Sequence, residues 1–146
     1  MSGFQKSEWI ACTPERVFEF ITDSKNAPKI VPSVKSSVKL TEGATKVGTR
    51  YRETRLMGGK EQQAELEVSE YAEPKLYAMR NVTDGVETVY RYKLHPERDG
   101  TRIDLVCKIK AAGIKKLMLP LVALILKKED GAHLQRLKQV LEEQTV

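Results

Sequence analysis

Ligating and nucleophilic side chains are scarce in this sequence, which holds two histidines and two cysteines in 146 residues. Cys12 and Cys107 form no redox pair or metal motif, and no His, Cys or Asp cluster has metal-ligand spacing. The plain expectation is reduced thiols in a cytoplasmic protein that uses neither a metal nor another cofactor. No nucleophile motif and no glycine-rich phosphate loop is present; Gly58-Gly59 reads as a hairpin turn. A leader peptide is not expected, because the first ten residues carry Lys6 and Glu8 and no apolar stretch. One long apolar run exists, LMLPLVALIL at 117–126, and it is too short to span a bilayer and contains Pro120. The net charge of +5 is modest and its lysines and arginines are scattered, so nucleic acid is not an expected partner. The length suits a single domain over residues 1–146.

What is present is a succession of strands closed by one apolar helix. An opening strand is read at 4–11. Thr13-Pro14-Glu15-Arg16 then starts a helix, with Thr13 as cap and Pro14 at the first helical position. Val17, Phe18, Phe20 and Ile21 give it an apolar side, and 23–26 ends it. A second short helix follows at Ala27–Ile30. The second strand is read near Val34–Thr41, with Val38 and Leu40 on one face. The rest is a meander of Thr49–Met57, Gln62–Tyr71, Leu76–Val82, Val86–His95 and Thr101–Ala111. Its turns are read at Gly58-Gly59, Asp84-Gly85 and Asp99-Gly100. A terminal helix is expected from about Pro120 to Gln144. The fold class is therefore α+β: a seven-stranded antiparallel sheet that grips a long C-terminal helix, with two short helices after the first strand.

Strand alternation assigns the faces. Leu66 with Ala64 and Val68, Tyr90 with Tyr92 and Leu94, and Leu105 with Ile103, Cys107 and Ile109 should all face the helix. The third strand is harder, because it alternates Tyr51, Glu53 and Arg55 with Arg50, Arg52 and Thr54. Its hairpin partner carries Glu65 and Glu67 on the outer face, so charge pairing across the strands puts Arg50 and Arg52 outside. Tyr51, Glu53 and Arg55 then point inward. An inward glutamate and arginine two residues apart are costly unless paired or solvated. They either orient a polar group of a ligand or form a salt bridge at the open end of the sheet. The expected cavity is lined by Tyr51, Leu66, Tyr90, Tyr92, Leu105 and Cys107, with Glu53 and Arg55 at its polar end. His133 falls near the inward helix face and reads as a boundary residue.

The terminal helix divides on a helical wheel. Val122, Leu126, Leu134, Leu137, Val140 and Leu141 share one side, while Leu121, Leu124 and Ile125 lie on another. Its first turns are apolar nearly all round and bracketed by Lys115-Lys116 and Lys127-Lys128. That end is covered by other elements, by a second subunit, or by transient contact with a membrane. The oligomeric expectation is a monomer or a homodimer.

The sequence resembles the START-like helix-grip superfamily (SRPBCC) in its polyketide cyclase/dehydrase-type branch. The resemblance rests on TPERVFEFITD (Thr13–Asp23) with the proline-bearing second helix, and on Val47-Gly48-Thr49-Arg50-Tyr51. It rests further on EVSEYAEPKLYAMR (Glu67–Arg80), on Asp99-Gly100-Thr101-Arg102-Ile103, and on the terminal helix from Leu134 to Leu141. These are fold motifs, none of them catalytic. The resemblance implies a deep apolar cavity under the terminal helix, and Tyr77 and Met79 as the inward residues of their strand. It also implies that the chain binds a small hydrophobic molecule such as a lipid, quinone or polyketide-like compound. The alternatives are a metal-free enzyme of the aromatase/cyclase or dehydrase type, and a membrane-docking lipid or quinone chaperone. An enzyme would have to draw on Glu53, Arg55, Tyr90 or Tyr92.

Overall fold

The two sheet edges are formed by strands that are neighbours in sequence, and this places everything else. The structure, a computed structural model that describes residues 2–144, runs through strand β1 (Ser2–Ile10), helices α1 (Pro14–Thr22) and α2 (Ala27–Ile30), and strands β2 (Val34–Lys39), β3 (Arg50–Met57) and β4 (Lys60–Ala72). It continues through β5 (Leu76–Thr83), β6 (Val86–Glu97), β7 (Gly100–Ala111) and helices α3 (Leu119–Asp130) and α4 (His133–Gln144). The strands form one sheet of order β1-β7-β6-β5-β4-β3-β2, antiparallel throughout. Helices α1 and α2 must therefore carry the chain from one edge to the other. Bulges between Val34 and Ser36 and between Val68 and Glu70 add twist and curvature.

Local chemistry explains most boundaries. The Thr13 hydroxyl accepts a hydrogen bond from the Arg16 N–H at 3.3 Å, and Pro14 opens α1. Val17, Phe18 and Phe20 bury its inner side, and Phe18 meets Tyr71 edge-on at 5.3 Å. Gly58-Gly59 and Asp84-Gly85 have the paired positive φ angles that suit two-residue hairpins. The last hairpin differs from the sequence reading: its positive-φ pair is Arg98-Asp99, and Gly100 already belongs to β7. A Cβ at Gly100 would sit 2.4 Å from the Ile10 carbonyl and 2.7 Å from the Trp9 ring, so this glycine admits a close approach of β1 rather than a turn. Strand β2 also ends earlier than expected. Its bulge leaves Val34 buried and Val38 outside.

The charge pairing expected across β3 and β4 is present. Arg50 lies opposite Glu67 and Arg52 opposite Glu65, while Tyr51 and Glu53 are buried. The outer face is a field of ion pairs, among them Arg80–Glu87 at 3.0 Å and Arg91–Glu70 at 2.6 Å. Glu70 and Arg91 flank Ala78 on the neighbouring strands, and Ala78 is fully buried although its inward neighbours are Tyr77 and Met79.

The terminal helix is present and carries a break. α3 ends at Asp130 and α4 begins at His133. The Gly131 N–H still donates to the Lys127 carbonyl at 2.7 Å, but a Cβ there would lie 2.2 Å from that same oxygen. α4 buries Leu134, Leu137 and Leu141 and is tied to the end of β1. Lys138 donates to the Trp9 carbonyl at 2.7 Å and to Glu142 at 2.9 Å, and the Ala11 N–H donates to the same carboxylate at 2.9 Å. The hydrogen bond from Lys138, seconded by the one from Ala11, holds the Glu142 carboxyl below its ordinary pKa. Among the described residues no helix is long and apolar enough to cross a membrane.

Candidate functional site

The concave face of the sheet is not filled along its whole length. α3 and α4 pack against β1, and α3 and α1 also reach β7. Ile103, Leu105, Cys107 and Ile109 are almost fully buried there. Leu105 and Cys107, expected at the cavity wall, therefore belong to the packed core and line neither chamber described below. Alternation set their face correctly; the helices lying over that end of the face remove them from the cavity.

Toward the β2 edge the sheet curves away and leaves a narrow inner chamber, with a cavity volume of about 80 Å³ inside an empty space of about 750 Å³ that includes open solvent. Tyr51, Glu53, Arg55, Leu66, Met79, Tyr90 and Tyr92, all expected from the sequence, line it from the strands. Phe20, Ile30 and Val31 close it from the α1–α2 side, and His133 closes it from α4. A wider outer chamber, of about 1500 Å³ with open solvent included, lies toward Gln62, Thr88 and the inner side of α3. Glu53, Arg55, Leu66 and Tyr90 line both. The Glu53–Arg55 pair thus stands at a waist between two chambers, where the sequence reading had it at one end. Its Nε–Oε1 separation is 2.6 Å, and the Glu53 and Arg55 side chains are 9% and 17% exposed. β3 brings the two together because residues two apart on a strand share a face.

Two further polar contacts mark the inner wall. The Tyr51 and Thr45 hydroxyls are hydrogen-bonded at 2.9 Å. The Tyr92 hydroxyl and His133 Nε2 are hydrogen-bonded at 3.1 Å in a buried setting. His133 is not a boundary residue: it is 2% exposed. Its spacing of four from Leu137 and eight from Leu141 put it on their stripe, and that was the available signal. Tyr77 stacks near Tyr92, ring centroids 6.3 Å apart. Burial, helped by Tyr51 and Tyr71, pushes the Tyr77 phenol far above its ordinary pKa, so it stays neutral. His95 lies elsewhere and pairs with Asp104 at 3.1 Å. Among the described residues no three His, Cys, Asp or Glu side chains come together in a group that could hold a metal ion.

The walls are largely apolar and aromatic by area; the ion pair at the waist, the Tyr51 hydroxyl and the Tyr92–His133 contact are fixed polar points on the inner side, and Gln62, Gln63, Asn81, Thr83 and Thr88 add polar groups to the outer chamber.

Residues 1–142 match the model of a family described as polyketide cyclase / dehydrase and lipid transport. No curated protein matches the sequence. Among solved structures, Ara h 8.0201 is similar with a TM-score of 0.78 at 16% identity, over 96% of this chain and 97% of that one. TTHA0849 from Thermus thermophilus is similar with a TM-score of 0.77 at 18% identity, over 97% of this chain and 98% of that one. The di-domain ARO/CYC BexL is similar with a TM-score of 0.78 at 16% identity, over 97% of this chain but 47% of its own. At these identities the likenesses establish the fold.

Proposed function

This chain belongs to the polyketide cyclase / dehydrase and lipid transport family, within the START-like helix-grip superfamily, and from that premise we propose that it binds one small hydrophobic molecule in the two chambers under its terminal helices. The observation that carries the reading is the waist. An apolar cavity interrupted midway by Glu53 and Arg55 suits a molecule with an apolar skeleton and a polar oxygen function part-way along it. Lipids, quinones and polyketide-like compounds have that chemistry. Tyr51, Leu66, Met79, Tyr90 and Tyr92 supply the contact area in this reading, and His133 joins them. We place the protein in the cytoplasm, where its two buried, unbridged thiols are stable.

Native mass spectrometry of protein purified from its own host should show a bound small molecule. Met79→Trp should then lower its retention, and the affinity for an apolar fluorescent probe, about tenfold, since a bulkier ring occupies the inner chamber at an overpacking cost of roughly 1–3 kcal/mol. Probe binding by Met79→Trp equal to that of the parent would refute the cavity as the binding site.

One observation favours a second reading, a metal-free cyclase or dehydrase. Tyr92 and His133 form a buried hydroxyl–imidazole contact at the chamber wall, which is a competent proton-transfer pair. Tyr92→Phe keeps the ring and removes the hydroxyl. It should preserve binding of the co-purified molecule and lower its turnover by roughly a hundredfold or more. Absence of turnover in the parent, or turnover indifferent to Tyr92→Phe, dismisses the enzyme reading and leaves the binding one intact.

A further inference from the structure

Exposed apolar surface is concentrated on one stretch of the chain. Of ten large hydrophobic side chains exposed among the described residues, six lie between Ile114 and Ile125. They are Ile114, Leu117 and Met118 on the 3-10 turn Gly113–Met118, and Leu121, Leu124 and Ile125 on α3. Leu117 is 81% exposed and Leu124 65%. Scattered single apolar residues need no explanation, but six exposed within 114–125 mark a surface that meets something apolar.

The charges around the face say what that something is. Lys116 lies within it and Lys127 and Lys128 follow it, all exposed, while Lys115 donates to the Asp84 carbonyl at the rim of the outer chamber. No acidic residue occurs between 113 and 128, and the first two, Glu129 and Asp130, follow in sequence. A second copy of this chain docked two-fold on the same face would bring two such lysine sets together. An anionic bilayer surface complements them instead, at about a fivefold gain in partitioning for each lysine near the surface. α3 has twelve residues and is about 18 Å long, so it lies along an interface rather than across it.

We propose that the 3-10 turn and α3 dock on the surface of an anionic lipid bilayer, with Leu117, Leu121, Leu124 and Ile125 entering the headgroup boundary and Lys116, Lys127 and Lys128 meeting acidic headgroups. The inner side of the same helix carries Val122 and Leu126 into the wall of the outer chamber. One helix thickness then separates the bilayer from the outer chamber.

The test is co-sedimentation with vesicles of phosphatidylcholine alone and of phosphatidylcholine containing phosphatidylglycerol, with sizing and melting curves in parallel. No cavity ligand is added, so the outcome is separate from that of the cavity reading. The parent protein should bind only the anionic vesicles, and less as salt rises. Leu124→Glu should lower partitioning about tenfold at an unchanged melting temperature. The triple variant Lys116→Glu, Lys127→Glu, Lys128→Glu should abolish it. Val47→Glu, at an exposed apolar site away from this helix, should bind like the parent. The proposal is overturned by any of four results. The parent ignores anionic vesicles; Leu124→Glu binds them undiminished; Leu124→Glu melts far lower, so the face is core; or the parent is a dimer that Leu124→Glu splits without ever binding lipid.

Discussion

Glu53→Leu should lower the stability of this protein by about 3 kcal/mol, read as a fall in melting temperature of roughly 10 °C. The carboxylate is nine-tenths buried and lies 2.6 Å from Nε of Arg55. Taking it away leaves a guanidinium, itself mostly buried, without its nearest counter-charge in a largely apolar wall. Arg55 keeps other contacts, which limits the loss but does not replace a 2.6 Å carboxylate. The double variant Glu53→Leu, Arg55→Met should recover most of the stability, because a buried ion pair replaced whole by apolar side chains is often neutral or better. The double-mutant cycle therefore carries the information. A single variant no less stable than the double one would mean that the waist is wet and the pair behaves as a surface bridge. If the pair orients a ligand, the stable double variant should still take up apolar probes and should discriminate poorly between molecules with and without a polar oxygen.

How far these features were readable from the sequence differs by the kind of physics involved. Register on β3 was legible because it is set by short-range pairing: Arg50 and Arg52 against Glu67 and Glu65 leave one choice of face. Helix α1 was legible because Thr13 and Pro14 act on the adjacent backbone. Glycines were less so. Gly100 reads like a turn residue, yet its role is to let Trp9 and the Ile10 carbonyl approach, and that neighbour is about ninety residues away in sequence. The break at Gly131 was missed because the leucine spacing of the two flanking helices runs on across it, although Asp130-Gly131 is a turn-forming pair and the residues before it are charged. For Leu105 and Cys107, alternation states a face and is silent on whether a helix or a cavity lies over it. Met79 and Tyr77 needed the family resemblance, because Ala78 and Leu76 are apolar too and the strand offered no alternation to follow. His133 was on the right stripe, but its partner Tyr92 is supplied by the place where α4 meets the chamber, which no local pattern encodes.

The break at Gly131 implies that the two halves of the apolar terminal segment do different work, and one pair of leucines can separate them. Leu137→Ala should cost about 3 kcal/mol, within the 2–5 kcal/mol usual for a buried leucine, since Leu137 is 0% exposed and the surrounding core cannot fully collapse onto the space left. Leu124→Ala should change stability by no more than about 0.5 kcal/mol. Both changes are leucine to alanine inside a helix, so intrinsic helix propensity shifts equally and drops out of the comparison. Urea unfolding read at constant m-value measures the difference directly. Leu137 also lies one turn from His133 on the same side of α4, so its truncation should loosen the wall that presents His133 to Tyr92 and weaken uptake of an apolar probe. Equal losses for the two variants would place both leucines in the core. The outer face of α3 would then not be free to dock on lipid, and the contrast between a gripping α4 and a docking α3 would be gone.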